Sequence, residues 1–506
     1  MGEESRVLNF ETEKDPQILR QAAKILVREN ERLVGKVVAL TNEILTLKGA
    51  SPADLQLRLA QLEAQLAVKN KLLFGKSSER RPVESLAAPE KAPQVGHGPR
   101  AQPALPVVEE LFAMDEADMG CPKCGKPLAT FPGQFEESEE ITVVERRFVL
   151  VKQKRQKYRC ACNGCIETAP GPVKLFPGAR YSVDFAVEVV ACKYIDHSPL
   201  ERQVRIMARE GLVVDSQTLW DQIERLARIL GSVKEALHAY VLAQAVIGAD
   251  ETRWRLLDGK GRDIGEAKQW QVWAVAAPNA VAYCIEDSRS AEAARKALRG
   301  FKGVAMADGY GVYQALTKEP GSFLLANCWA HVRRKYRDVE AAFPAQVNEI
   351  LDLIGELYAA DGLCPTGPPG DDLRRRVRDE RSRAVMERIR SWAISAKMRT
   401  LPEGGLAKAI DYMFGLWNGL IRFLDDPRIP LDNNGAERGL RGLVLGRKNH
   451  YGSKSRRGTE VAAIFYSLVE SAKLAGVEPK AYLRIAVNAA LRGEKPPLPH
   501  ELPAAA

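Results

Sequence analysis

Three carboxylates stand out for where they fall. Asp250 closes the apolar run AVIGAD, and Asp308 closes FKGVAMAD and is followed at once by Gly309. Glu437 lies in PLDNNGAERGLRGLVLGRKNHYG, residues 430–452, between a turn-like start and a strongly basic end. Two aspartates alone are weak evidence, since Asp-Gly is a common turn. A third acid on a following helix would complete a site for two hard divalent ions. Such ions take oxygen ligands, and a pair roughly 3.5–4 Å apart can activate an attacking oxygen and steady a leaving one in phosphoryl transfer. Glu437 also has a plainer reading, at N3 of a capping-box variant with Asn434 as N-cap. Capping does not account for the cations just downstream: Arg438, Arg441, Arg447, Lys448, Lys454, Arg456 and Arg457. Carboxylates acting on DNA need their repulsion for phosphate neutralised, whereas a cap needs no cations. The two roles are compatible, because a cap fixes the helix start and so aims Glu437. Glu251 points to the opposite face of its strand from Asp250 and is not expected to be a ligand.

Sulfur supplies a second set. CPKCGKP carries Cys121 and Cys124, and YRCACNGC carries Cys160, Cys162 and Cys165. Two knuckles separated by a strand-rich spacer suit one tetrahedral structural zinc ion, with Cys121, Cys124, Cys162 and Cys165 as ligands. Only the last two have the two-residue gap, so Cys160 is the spare; reduced surface thiols are the alternative. Cys328 and His331 could form half a metal site, but no matching pair follows. Cys328 and Trp329 are expected in the core, with His331 opening a basic helix whose Arg333 and Arg334 contact phosphates or form a solvated charged face. The arginines between 374 and 383 alternate with acids, the pattern of a solvated, salt-bridged helix.

These groups need elements to hold them. The order predicted around the acids is a strand ending at Asp250, a hairpin turning at Pro278-Asn279, a helix, a strand ending at Asp308, and a strand running into the basic helix. Three antiparallel strands followed by alternating helices and strands is the order of a ribonuclease H-like sheet. Residues 182–242 read as helical, with a helix-turn-helix outline and Ser216 as the second N-cap. Leucines at 19, 26, 33, 40 and 47 hold a heptad with Val37 and Ile44 between them, which predicts a parallel coiled coil whose register Asn30 sets. Residues 80–107, rich in Pro and Ala, are expected to be a disordered linker.

The bulk composition fits. At 506 residues several domains are expected. Net charge of +9 and a pI of about 9.0 favour a polyanionic partner. No signal peptide or membrane-spanning run is visible, so the expected setting is the cytoplasm. The domains expected are a helical coil for self-association over 1–79, the linker over 80–107, a zinc segment over 108–172 and a helical region over 173–243. A catalytic core follows over 244–458, with a helical insertion at about 340–425, and then a C-terminal helical tail over 459–506.

Asp250-Glu251-Thr252, Asp308-Gly309-Tyr310 with Tyr313, Cys328-Trp329-Ala330-His331 with Arg333-Arg334, and Asp432-Asn433-Asn434 through Glu437-Arg438 to Arg447-Lys448-Asn449 together resemble a DDE transposase, and more closely the insertion sequence 66 family. The likeness spans nearly the whole chain, including LLFGKSSER at the end of the N-terminal coil. It implies a multidomain α+β protein with a ribonuclease H-like core in which Asp250, Asp308 and Glu437 bind two magnesium ions, or manganese in their place. A helix-rich insertion would separate the last strand from the catalytic helix. The activity implied is hydrolysis at element ends to free 3′-hydroxyls, then strand transfer into target DNA, with Arg333, Arg334, Arg438, Arg441, Arg447 and Lys448 on DNA. Partners implied are element ends, target DNA and accessory transposition proteins. A zinc-containing DNA-binding protein with an inactive nuclease-like core is the alternative, and a nuclease without strand transfer the third reading. His450-Tyr451-Gly452 departs from the apolar residues that often follow in the family.

Overall fold

The computed structural model of the chain describes residues 148–159, 166–257 and 268–504, with isolated positions before them at 32, 35, 39, 107, 109, 123 and 126–128. The heptad leucines, residues 80–106 of the expected linker, and Cys121, Cys124, Cys160, Cys162 and Cys165 lie outside the described residues. Residues 80–150 cluster as one unit, described at only a few positions, and residues 1–79 with 151–506 make the other.

A short antiparallel pair, β1 (Lys157–Arg159) and β2 (Ile166–Thr168), precedes three helices: α1 (Val183–Tyr194), α2 (Leu200–Arg209) and α3 (Ser216–Leu242). Ser182 caps α1 by accepting from Phe185 N at 3.1 Å. The cap of α3 is Asp215, which accepts from Thr218 N at 2.6 Å, so Ser216 is the first helical residue and not the cap expected. Both residue types can cap, and the carboxylate adds a favourable charge at the helix start. Helix α3 is 27 residues long and buries one side from Leu219 to Val241.

Three antiparallel strands follow: β3 (Val246–Leu256), β4 (Lys268–Ala277) and β5 (Ala280–Glu286). After α4 (Ala291–Leu298) come β6 (Val304–Ala307), α5 (Gly311–Leu316) and β7 (Leu324–Asn327). The strands lie in the order β5-β4-β3-β6-β7, with β3, β6 and β7 parallel. This mixed five-stranded sheet among helices is an α+β arrangement consistent with a ribonuclease H-like core. Trp254 and Trp273 fill its interior at 0% and 2% exposure.

Between the last strand and the helix that bears Glu437 stand α6 (Trp329–Val339), α7 (Pro344–Asp361), α8 (Asp371–Val377), α9 (Arg383–Met398), α10 (Gly405–Gly415) and α11 (Trp417–Leu420). All but α8 share an apolar core that includes Val332, Tyr336, Ile354, Ile389 and Met413, while Val377 of α8 packs in a smaller cluster with Ala360 and Cys364. Side chains buried so fully each contribute about 1.5–3 kcal/mol relative to exposure. Two arginines among them depart from the solvated reading: Arg374, 8% exposed, donates to Asp371 at 2.9 Å and to the Pro365 carbonyl at 2.5 Å, and Arg378 is buried further still. Arg375 and Arg383 do pair at the surface with Asp372 and Asp379, but Arg378 is 1% exposed. It sits in a π-helical turn, Arg378–Ser382, pairs with Asp361 at 2.7 Å and donates to the Phe423 carbonyl at 2.6 Å. Its partners come from α7 and from the segment leading to the helix that bears Glu437, so a local charge pattern could not reveal them.

Helix α12 (Asn434–His450) carries Glu437 and is followed by α13 (Arg456–Leu474) and α14 (Pro479–Leu491). Helix α13 runs across the expected boundary at 458 and is buried along most of its length. It covers the edge of β5: Ser467 accepts from Tyr283 N and Ser471 from Val281 N, each at 2.9 Å. An edge strand left open is a template for unwanted pairing, and two buried serines here take the place of a sixth strand. No helix among the described residues is long and apolar enough to cross a membrane.

Candidate active site

The sheet places two of the acids. Strand β3 pairs with β6 so that Val246 lies opposite Val304 and Gly248 opposite Met306, an offset of 58. Asp250 and Asp308 have the same offset (308 − 250), so both occupy one level, just where β6 ends. Neighbouring strands run about 4.8 Å apart, which brings the two side chains together at the carboxyl end of the parallel strands. Asp308 Oδ1 accepts from Tyr310 N and Asp250 Oδ1 from Glu251 N, both at 2.8 Å. Asn327, at the end of β7, donates from Nδ2 to the Asp308 carbonyl at 3.1 Å and so fixes the turn that follows it.

The third acid comes from helix α12, whose start is clamped to β3. Asn433 is 3% exposed, and its Nδ2 donates to the Ala249 carbonyl at 2.8 Å. Its backbone N–H donates to Cys328 Sγ at 3.2 Å, and Trp329 N donates to the Leu431 carbonyl at 2.9 Å. Gly248 makes the approach possible: a Cβ there would lie 2.6 Å from Asn433 Oδ1 and 2.9 Å from Ala436 Cβ. The N-cap is therefore Asn433, not Asn434, and its side chain makes no capping bond. The capping box expected at Glu437 does not form. What aims Glu437 is the grip of Asn433 on the strand that carries Asp250.

Glu437 Oε1 is buried and has no hydrogen-bond partner. His331 Nε2 lies 3.8 Å away, beyond hydrogen-bond reach, while His331 Nδ1 is also buried without a hydrogen-bond partner. His331 thus faces the third acid, where the sequence suggested it would open the helix toward DNA. Cys328 and Trp329 are buried as expected, at 1% and 0% exposure. Burial pushes the Asp250 carboxyl up to about 7; the Glu251 N–H opposes this, and the negative charges of Glu251, Glu437 and Asp308 add to it. Asp250 therefore lies within electrostatic range of both other acids. Among the described residues no three His, Cys, Asp or Glu side chains are gathered closely enough to hold one ion between them. The charges of Asp308 and Glu437 nonetheless act on Asp250, and carboxylates within such range, one with an orphaned buried oxygen, are what a hard divalent cation drawing them together would satisfy.

Around this locus lies a supporting ring. Glu251 does point away from Asp250's face: it accepts from Tyr313 Oη at 2.9 Å and from Arg289 Nε at 3.1 Å. Arg289 stacks over Tyr310 at 3.8 Å, and the Tyr310 hydroxyl donates to the Arg289 carbonyl at 2.7 Å. Tyr310, in the loop after β6, and Tyr313, in α5, thereby tie this region to Arg289 just before α4 and to Glu251 of β3. The insertion helices brace the same loop. A Cβ on Gly309 would meet the Tyr412 hydroxyl at 2.5 Å, and one on Gly419 would meet Asn327 Oδ1 at 2.0 Å. The roles of Asn433, Asn327 and Tyr412 and the placement of His331 opposite Glu437 were not foreseen; the repeated Asn of Asp432-Asn433-Asn434 was the one available signal.

The cations divide. Arg438, Arg441 and Lys448 are exposed, at spacings that put them on one face of α12. Arg447 is turned inward, donating to Thr252 Oγ1 at 3.2 Å and to the Arg253 carbonyl, so it braces β3. Arg333 is half-buried and Arg334 exposed, and both have interaction partners within the protein.

Comparison with known proteins gives a consistent family. The profile described as "Transposase IS66 family" matches residues 178–461. The chain is 34% identical over 363 residues to uncharacterized protein y4jD of Sinorhizobium fredii (strain NBRC 101917 / NGR234), covering 68% of this chain and 70% of that protein. Uncharacterized protein y4qI of the same organism is 30% identical over 378 residues, with 69% and 67% covered. Uncharacterized protein y4hP is 26% identical over 479 residues, with 88% and 85% covered. The profile match contains all three acids and ends within α13.

Proposed function

The chain belongs to the IS66 family of transposases, and from that premise we propose that it is a metal-dependent DDE transposase that frees 3′-hydroxyls at the ends of an insertion sequence and joins them to target DNA. Membership in the family implies DNA binding and divalent metal ions. Asp250, Asp308 and Glu437 are the residues proposed to hold those ions, which when bound supply Lewis acidity for attack on a phosphodiester and for departure of the leaving oxygen. The observation that carries the reading is the equal offset that sets Asp250 beside Asp308, with Glu437 held against the same strand by Asn433.

The protein's own groups then have definable tasks. Asn327 holds the Asp308 turn, and Asn433 with Gly248 seats the helix of Glu437. Arg438, Arg441 and Lys448 offer a cationic face to phosphates, whose charge the acids would otherwise repel. Arg333 and Arg334 lie on the helix that carries His331 and are proposed contacts on the same side. One structural zinc on Cys121, Cys124, Cys162 and Cys165, dimerisation through residues 1–79, and help from accessory proteins complete the proposal. The test is magnesium-dependent nicking of candidate element ends by the purified chain, followed by joining to a target duplex. Nicking and joining are expected from the wild type, and neither from Asp250→Asn. Cleavage that persists without Asp250 would refute the assignment.

A further inference from the structure

Beyond residue 249 the sheet narrows to a ribbon. Strand β6 stops at Ala307, whereas β3 runs on to Leu256, paired with β4 as far as Lys268. Beside this ribbon, at the C-terminal end of α12, lies a cleft of about 1000 Å³ whose lining includes Arg253, Arg255, Gln269, Gln271, Lys448 and Tyr451. We propose that this cleft binds an unpaired DNA strand, with Arg253, Arg255 and Lys448 on its phosphates and Tyr451 stacked on a base. The inference rests on the transposase reading, which needs a strand end delivered to Asp250, two residues from Thr252 at the cleft wall.

Charge is the first argument. Among the described residues Arg253 and Arg255 have no ion-pair partner, and the cleft's carboxylate, Glu251, is already held by Arg289 and Tyr313. Burial and the charges of Arg255 and Arg253 depress the pKa of Arg447, so cations are gathered here against their mutual repulsion. A phosphate chain relieves that repulsion.

The second argument is Tyr451. It ends α12 in the left-handed region, at φ 61°, where glycine is the usual residue and a side chain with a Cβ is disfavoured. The residue is nonetheless 53% exposed, in a cleft lined by cations. A strained backbone holding an exposed aromatic suggests that the ring is wanted where it stands. Duplex DNA presents phosphates and groove edges but keeps its base faces stacked and closed to the ring. An unpaired strand also presents a base face to the ring and base edges to the amides of Gln269 and Gln271, a combination of stacking and charge that suits single strands.

The experiment uses the full chain in chelator, so that no cleavage intervenes, and compares affinity for a single strand of about 12 nucleotides with that for a duplex of equal length. Tyr451→Ala is expected to weaken single-strand binding roughly 5- to 150-fold, the equivalent of one stacked base, while duplex affinity changes by less than about two-fold. Tyr451→Phe should retain binding. Tyr451→Gly should lose it while raising the thermal midpoint, which separates lost stacking from lost folding. Arg253→Glu combined with Arg255→Glu should reduce the salt dependence by about 0.7 per lost phosphate contact. Unchanged single-strand affinity in Tyr451→Ala, or an equal loss for duplex, overturns the proposal. Either result beside intact magnesium-dependent cleavage sinks the cleft alone, whereas cleavage surviving Asp250→Asn sinks the catalytic reading instead.

Discussion

Asp250 and Asp308 stand together because two strands pair in parallel; Glu437 joins them because a helix is clamped to one of those strands from several directions. The first placement needs only register, which a buried sheet enforces strongly, since a one-residue slip would turn every side chain to the wrong face. The second needs a glycine for close approach, a buried asparagine on a strand carbonyl, and a loop fastened to Cys328 and Trp329. Register is robust and coarse; the clamp is fragile and tunes position. Substitutions at the clamp should therefore move catalysis more than their cost in stability suggests.

Removing any of the acids tests the endpoint of both placements. Asp308→Asn and Glu437→Gln should each lower magnesium-dependent nicking beyond the roughly 100-fold loss that disturbing a ligand's neighbours brings. Gly248→Val attacks the clamp. Its side chain would force strand and helix apart, costing about 1–3 kcal/mol of stability and roughly 100-fold in nicking, the scale of a 1 Å misplacement. Denaturant midpoints alongside single-turnover rates check both, and equal small effects on the two would remove the distinction drawn here. Asn433→Ala, which leaves the Ala249 carbonyl without its donor, should cost about 1–3 kcal/mol and about ten-fold in rate.

Charge offers a gentler probe. The raised pKa of Asp250 means that the folded chain holds its proton up to about pH 7, whereas the unfolded chain loses it near 3.8. The folded state thus binds more protons across that window, and stability falls as pH rises from about 4 to about 7. Asp250→Asn should flatten that fall and raise stability in chelator at pH 8, by at most about 4 kcal/mol at 1.36 kcal/mol per pKa unit. Urea midpoints at pH 5 and pH 8 would show it. A variant no more stable than wild type at pH 8 would mean that the acids do not strain the fold.

What could be read in advance follows the same divide. The strand ending at Asp308, the hairpin and the helix–strand alternation were legible because they leave periodic, local traces; β3, expected to end at Asp250, instead runs on to Leu256 in pairing with β4. Glu437 was legible through the cations behind it. The residues that aim it were not: Asn433 and Asn434 are both good caps, and only the distant Ala249 carbonyl decides that Asn433 turns its side chain away. Ser216 and Asp215 pose the same one-residue ambiguity. Arg378 looked solvated because its partners, Asp361 and the Phe423 carbonyl, lie 17 and 45 positions away. His331 gave no hint that it faces Glu437, since nothing in a sequence marks which turn of one helix meets which turn of another.

The central claim, that three distant acids share one cation locus, can be tested without DNA. Ferrous iron, substituted for magnesium in the full chain and supplied with hydrogen peroxide and with ascorbate to re-reduce the ferric ion, generates radicals that cut the polypeptide beside the bound ion. The account predicts cuts clustered near residues 250, 308 and 437, all suppressed together by excess magnesium and by Asp250→Asn. Cuts confined to one of the three segments, or unaffected by Asp250→Asn, would contradict it.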